Sequence, residues 1–237
     1  MTAAPLHLAG ERLMLDPSGI LWWPARRLLA VADLHLEKGS AAARRGSLLP
    51  PWDSRITLDR LLDQVRRWRP EIVVALGDSF HDRLGAARLP GPEADRLRRL
   101  GSETRLVWVQ GNHDPEPPEG LPGEHGTRFE MGPLLFRHEA SPAEPNRGIR
   151  RQPSGPIEIC GHHHPKARVA TRAGSISRPC FVADNRRMIL PAFGAYTGGL
   201  DVLHPAIAAL FPLGGRAFLL GTGRLFSFSL AAIRQGT

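Results

Sequence analysis

The feature that most constrains this chain is a repeated arrangement: a short apolar run ends at once in carboxylate, amide or imidazole side chains. LLAVA at 28–32 runs into Asp33-Leu34-His35, EIVVAL at 71–76 into Gly77-Asp78, and RLVWVQ at 105–110 into Gly111-Asn112-His113-Asp114. LLFR at 134–137 runs into His138, and IEIC at 157–160 into Gly161-His162-His163-His164. Short apolar runs bounded by turn-forming residues read as buried strands. In layered α/β folds the groups at the carboxyl ends of strands converge on one crevice. Asp33 and His35, like His162 and His164, would lie on one side of an extended segment at i and i+2, so each pair is placed to chelate one ion.

The rest of the chain fits an α/β architecture. DPSG between Glu11–Leu15 and Ile20–Trp23 predicts a hairpin. Ile56, Leu58, Leu61, Leu62, Val65 and Trp68 recur at helical spacing after a cap at Asp53 or Ser54, and Pro70 ends that helix. A second helix is expected over Pro92–Leu100 and one strand over Phe129–Arg137. Beyond these, Ile157–Cys160, Arg178–Ala183, Met188–Leu190, Ala217–Leu220 and Leu225–Leu230 read as a β-rich second half. Glu139–Pro156, with four prolines and no periodicity, reads as an exposed basic loop. No repeat or linker divides the chain, so residues 1–237 are read as a single domain.

Two observations bound the setting. Only Cys160 and Cys180 are present and they lack CxxC spacing, which argues against a disulfide framework or a thiolate zinc site. The opening MTAAPLHLAGERL has no secretory pattern and no apolar run is long enough to span a bilayer, so a cytoplasmic location without membrane contact is expected. The chain carries 31 Lys+Arg against 23 Asp+Glu, a formal charge of +8, and all the basic residues except Lys38 and Lys166 are arginine. Arginine forks grip phosphate bidentately, so this balance suits a polyanionic partner without proving one.

The five strand-end clusters mix carboxylate, amide and imidazole without thiolate, a donor set that suits Mn²⁺, Fe or Zn²⁺. Two divalent ions about 3.5–4 Å apart can bridge a water or hydroxide, lower its pKa and clamp a phosphoryl group. His163, between two candidate ligands, should point the other way. His81 reads as a substrate-facing residue or one behind the ligands, with no proton role that the sequence assigns.

In order, DLH, GD, GNHD, a lone His and GHHHP resemble the motif set of the calcineurin-like metallophosphoesterases, over Asp33 to His164. The resemblance implies a four-layer α-β-β-α sandwich of two mixed sheets flanked by helices, with two metal ions at its edge. It implies that Asp33, His35 and His164 hold the first ion, that Asn112, His138 and His162 hold the second, and that Asp78 bridges both. His113 matches the family's non-ligand histidine, which protonates the leaving oxygen or stabilises the transition state, and Asp114 would orient it. DLHLEKG, LGDSFHD, RHEA and PAFGAYTGGLDV extend the likeness to the bacterial ligase-associated DNA-damage-response endonucleases of that superfamily. That narrower likeness implies Mn²⁺-dependent cleavage of DNA, single-stranded for preference, by metal-bound hydroxide in DNA repair, with a functional link to a DNA ligase and a helicase. The chain departs from the protein-phosphatase branch, having His81-Asp82-Arg83 and GNHD.

Lys38, Arg44 and Arg45 follow the first ligand pair, and Arg147, Arg150 and Arg151 lie in the proline-rich segment; these and His81 are the candidates for contact with a nucleic-acid backbone. Trp52, Trp68 and Phe80 are candidates for base stacking, although the helical spacing of Trp68 fits packing. Gly198-Gly199 reads as a tight turn or bulge. Two other readings stay open: the same chemistry on a small nucleotide, and a non-catalytic interaction scaffold on the same fold.

Overall fold

Along the central strands the side chains alternate between two apolar layers, which is what buries every residue of LLAVA. Leu28, Ala30 and Ala32 enter one hydrophobic cluster, and Leu29 and Val31 enter another. Val74 and Leu76 follow the first set while Val73 and Ala75 follow the second; Val107 and Val109 separate from Leu106 and Trp108 in the same way. A strand apolar at every position is the signature of a sheet covered on both faces.

The structure, a computed structural model, describes residues 2–116, 120–142, 155–172 and 174–236. Strands β1 (Ala4–Leu8), β2 (Glu11–Leu15), β3 (Leu21–Trp23), β4 (Leu28–Ala32), β5 (Ile72–Leu76), β6 (Arg105–Val109) and β7 (Glu124–Gly126) form one sheet in that order. β8 (Arg128–Met131), β9 (Leu134–Arg137), β10 (Ile157–Cys160), β11 (Lys166–Thr171), β12 (Gly174–Ala183), β13 (Arg187–Ile189), β14 (Arg216–Leu220) and β15 (Leu225–Ser229) form the other. Its order is β15-β14-β12-β13-β10-β9-β8, with β11 paired to β12. Both sheets are mixed: β4 to β7 run parallel, as do β9, β10 and β13, and the remaining neighbours are antiparallel.

Helices α1 (Lys38–Arg44), α2 (Asp53–Trp68), α3 (Gly85–Arg88) and α4 (Gly91–Glu103) follow strands of the first sheet, and α5 (Pro205–Ala208) and α6 (Leu230–Gln235) belong to the second. Leu58, Leu61 and Val65 of α2 and Leu97 and Leu100 of α4 pack on the outer face of the first sheet. Ile207, Leu230 and Ile233 pack on the outer face of the second with Cys180, Val182 and Ala217. Between the sheets, Trp23, Phe136, Phe181 and Met188 join the inward residues of β4 to β6. Three apolar layers between four structural ones give the α-β-β-α sandwich. Among the described residues no helix is long and apolar enough to cross a membrane.

Several boundaries differ from the sequence reading. The strand expected over Phe129–Arg137 is a hairpin, β8 and β9, because Gly132 turns the chain at φ +52° and sets Met131 against Leu134. The strand expected to reach Leu230 stops at Ser229, whose hydroxyl accepts from the Ala232 amide and starts α6. β1, β7, β11 and α1 have no counterpart in the sequence reading: β1 fully buries only Leu8, β7 has no large apolar residue, and α1 is mostly small residues. The basic loop expected over Glu139–Pro156 lies largely outside the described residues.

Phe136 is wholly buried between the sheets, two residues before His138. Truncation to alanine should cost about 3–5 kcal/mol of folding stability through lost burial and the cavity left behind. Urea unfolding monitored by tryptophan fluorescence reads this as a lower midpoint; an unchanged midpoint would contradict this account of the core.

Candidate metal centre

The register of the parallel strands sets the candidate ligands level. Ala32 pairs with Leu76 and Leu76 with Val109, so the residues after β4, β5 and β6 emerge side by side; Phe136 pairs with Ile159 in the second sheet. The two strand-end loops of the first sheet then run together, with the His35 amide donating to Asp78 O at 2.8 Å and the Leu36 amide to Ser79 O at 2.9 Å. The backbone there is not the extended segment the i, i+2 spacing predicts. Asp33, His35, Asp78, His162 and His164 all take left-handed φ values, between +44° and +71°. Such conformations cost non-glycine residues about 1–3 kcal/mol each and persist only where the surroundings over-determine them. Left-handed residues replace strand pleating here: Asp33 and His35 both turn to His164, whereas His162 turns to Asn112 and His138, so His162 and His164 are not placed to chelate one ion as their spacing predicts.

The side chains assemble in two groups. In the first, His35 Nε2 and His164 Nε2 stand 3.2 Å apart, with Asp33 Oδ1 3.5 Å from His164 Nε2. In the second, Asn112 Oδ1 lies 3.0 Å from both His138 Nε2 and His162 Nδ1, which are 3.1 Å from each other. Asp78 stands between them: its Oδ2 is 3.9 Å from His35 Nε2 and 3.4 Å from His138 Nε2. Asp33, His35, Asp78 and His138 are buried, while Asn112 is exposed and His162 and His164 are partly so.

The donor set fits divalent ions. An amide oxygen and two ring nitrogens in a triangle of about 3 Å cannot all be joined by hydrogen bonds, since the oxygen only accepts and the two nitrogens repel if both carry protons. A shared electrophile satisfies all three lone pairs. One neighbouring contact orients a ring for this: His138 Nδ1–H donates to Leu76 O at 3.1 Å, which aims Nε2 at Asn112 and Asp78, and both oxygens of Asp33 accept from the His162 amide at 3.1 Å. Gly77 and Gly111 make room: a methyl group at Gly77 would overlap the His138 ring, and one at Gly111 would overlap Asp78. The sequence signal for these was their place immediately before Asp78 and Asn112.

The family profile of the calcineurin-like phosphoesterases matches residues 26–187. The chain belongs to the calcineurin-like phosphoesterase family. A nuclease of Pseudomonas putida, MPE, has a solved structure similar to this one, with 28% identity and a TM-score of 0.72 over 96% of this chain and 100% of that one. The YfcE phosphoesterase of E. coli is similar at 13% identity and a TM-score of 0.42, over 86% of this chain and 98% of that one. Among curated proteins no match is found.

In this phosphoesterase the remaining candidates separate by position. His113 Nδ1–H donates to His81 O at 2.8 Å, which turns Nε2 towards Asp78 Oδ2, 3.9 Å away. Asp114 was expected to orient His113, but its carboxylate instead accepts from the Phe80 and Gly111 amides at 3.0 and 3.2 Å. The tether on His113 is the backbone of His81, whose ring Nδ1 in turn lies 3.4 Å from His35 Nδ1. His163 belongs to neither group and packs edge-on against His162. Arg44 and Arg45 line a cavity of about 490 Å³ with Ala41, Asp82, Arg83 and Leu84. Lys38 and Arg45 are close enough for their charges to disfavour protonation of His81, after burial has already done so. Arg147, Arg150 and Arg151 lie outside the described residues. Of the aromatic candidates, Trp52 is exposed, whereas Phe80 is buried near Trp108 and Trp68 packs on Trp22.

Electrostatics divide the two groups. Burial, then the facing His164 ring, pushes His35 down to about 3, so it offers a neutral nitrogen at any ordinary pH. Burial also disfavours a charged His138, but the hydrogen bond with Asp78 and the charges of Asp33 and Asp78 outweigh it and lift His138 to about 9. Burial likewise opposes the Asp78 charge, and His138 together with the His113 amide holds that carboxyl well below the usual carboxylate range. A proton therefore occupies the His138 side of this centre in the ion-free chain, and a cation entering there has to displace it. Manganese uptake measured by calorimetry in buffers of different ionisation enthalpy should release a proton below about pH 9, and affinity should rise with pH up to that value. Affinity that is flat between neutral pH and pH 9 would remove His138 from the ligand set.

Proposed function

We propose that this chain is a phosphodiesterase that uses two divalent ions, Mn²⁺ before Fe or Zn²⁺, to hydrolyse single-stranded DNA. The observation that carries the reading is the meeting of the two donor groups on Asp78, with the Nε2 of a partly exposed histidine, His113, 3.9 Å from the same carboxylate oxygen. Asp33, His35 and His164 would hold one ion, Asn112, His138 and His162 the other, and Asp78 both. When bound, two such ions supply Lewis acidity towards the phosphoryl oxygens and the attacking water. The basic balance of the chain and its likeness to a nuclease over that protein's full length support a nucleic acid over a small nucleotide as substrate.

The chain's own groups then have defined tasks. The His113 amide donates to Asp78 Oδ1 at 2.9 Å and keeps that carboxylate ionised and aimed. His113, tethered through Nδ1–H, directs Nε2 to protonate the departing alkoxide. Lys38, Arg44, Arg45 and His81 flank the approach and meet the strand's phosphates, with Arg147, Arg150 and Arg151 as further candidates. Candidate ligands from both sheets support reading residues 1–237 as one domain. Cys160 and Cys180 are buried and unbridged, which fits a reducing, cytoplasmic setting. A role in DNA repair beside a ligase and a helicase is implied only by the likeness of its motifs to the ligase-associated endonucleases.

With Mn²⁺, the wild-type protein should linearise circular single-stranded DNA and hydrolyse bis-p-nitrophenyl phosphate. His113→Ala should lower DNA cleavage by about 10²–10⁴. It should affect the small diester far less, because p-nitrophenolate departs without a proton. Asp78→Ala should lose bound metal and both activities. Intact circles beside a hydrolysed diester would move the site to a small phosphodiester; a His113→Ala protein that cuts DNA at the wild-type rate would remove the general acid.

A further inference from the structure

The segment Pro191-Ala-Phe-Gly-Ala-Tyr-Thr-Gly-Gly-Leu200 has no assigned task in the centre described above, yet it is laid along the backbone of the first donor group. The Phe193 amide donates to Ala32 O at 2.8 Å and the Gly194 amide to Asp33 O at 3.1 Å. The approach at Gly194 is so close that any side chain there would overlap the Leu34 carbonyl. Further along, the Leu200 amide donates to His163 O at 3.4 Å, and Gly199 lies against the carbonyl of His164 in the same manner. The loop thus runs from the residue that supplies Asp33 to the residue that supplies His164, whose side chains meet at 3.5 Å.

Tyr196 is at the middle of this span. It takes φ +61° without being glycine or asparagine, a conformation that sterics disfavour for a bulky residue. The loop is fastened around it: the Ala195 amide donates to Thr57 Oγ1 of α2 at 2.9 Å, and Thr197 Oγ1 donates to Gly194 O at 3.0 Å. Tyr196 is 39% exposed, and its hydroxyl and ring have no hydrogen-bond or aromatic partner among the described residues. Strained positions that carry an exposed, unpartnered side chain beside a catalytic centre point to a ligand contact.

We propose that Tyr196 is a substrate-positioning residue, a platform on which an unpaired nucleobase next to the scissile phosphate stacks. This inference rests on the nuclease reading. A base stands off from its own phosphate, so a ring carried midway along a loop fastened to the donor-bearing segments at both ends, rather than inside the centre, is suited to meet one. An aromatic face accepts any base and only an unstacked one, so the contact selects single strands without selecting sequence. The phenol hydroxyl plays no part.

The test is steady-state cleavage, with Mn²⁺, of a single-stranded oligonucleotide and of the same strand made abasic around the cleaved bond. Tyr196→Ala should raise KM for the base-bearing strand about 10-fold, with most of the loss in KM rather than kcat, and Tyr196→Phe should restore it. On the abasic strand, wild type and Tyr196→Ala should have the same KM. An unchanged KM in Tyr196→Ala, or an equal loss on both strands, would overturn the stacking role and leave Tyr196 as a loop residue. If the wild-type protein cuts neither strand while hydrolysing bis-p-nitrophenyl phosphate, the nuclease reading falls and this proposal with it.

Discussion

Everything at the candidate centre depends on the parallel pairing of β4, β5 and β6, which stops Ala32, Leu76 and Val109 level with one another. A one-residue slip in either ladder would exchange the inward and outward faces of a strand that is apolar on both sides. It would also move Asp33, Asp78 or Asn112 by about 3.3 Å along the edge, roughly the length of the contacts that join the donor groups. The apolar layers therefore fix the positions of the polar ones. Hydrophobic packing supplies the accuracy, and the imidazoles and carboxylates stand on it.

The second constraint opposes the first. Five candidate ligands adopt left-handed backbone, and several buried carboxylates and imidazoles crowd within 4 Å of one another, both of which destabilise the fold. Backbone amides of the adjoining loops take up part of this cost by donating to Asp33 and Asp78. Divalent cations would relieve more of it, since anything that binds only the folded chain stabilises it. The arrangement is an unfavourable one held in place by a large core.

How much of this was legible in the sequence follows from what each feature depends on. The central strands were readable because a doubly covered strand is a continuous apolar run, and the donors were readable because each run ends in one. α1 was not, because Ala and Gly carry no amphipathic pattern; its close approach to α2 near Asp53 appears only in three dimensions. β8 and β9 were merged because the turn between them is short and apolar residues continue on both sides. In the centre, the ordered motifs named the donors, but spacing implied an extended backbone where a left-handed one stands, and the family resemblance implied Asp114 as the residue that orients His113. The true partner is a carbonyl, which no side-chain pattern encodes. PAFGAYTGGLDV stood out only as a likeness until its amides were seen on the donor loops.

His81 bears on the centre twice, through its ring towards His35 and through its carbonyl towards His113. These two connections belong to different chemical parts of the same residue, and only one of them is written in the genetic code. Replacement by any of the other amino acids removes the ring and leaves the carbonyl in place. A conventional substitution scan at this position therefore samples half of its contribution. The other half is inherited by whatever residue stands there, and an amide-to-ester exchange between 81 and 82, which weakens the carbonyl as an acceptor, is the change that reaches it.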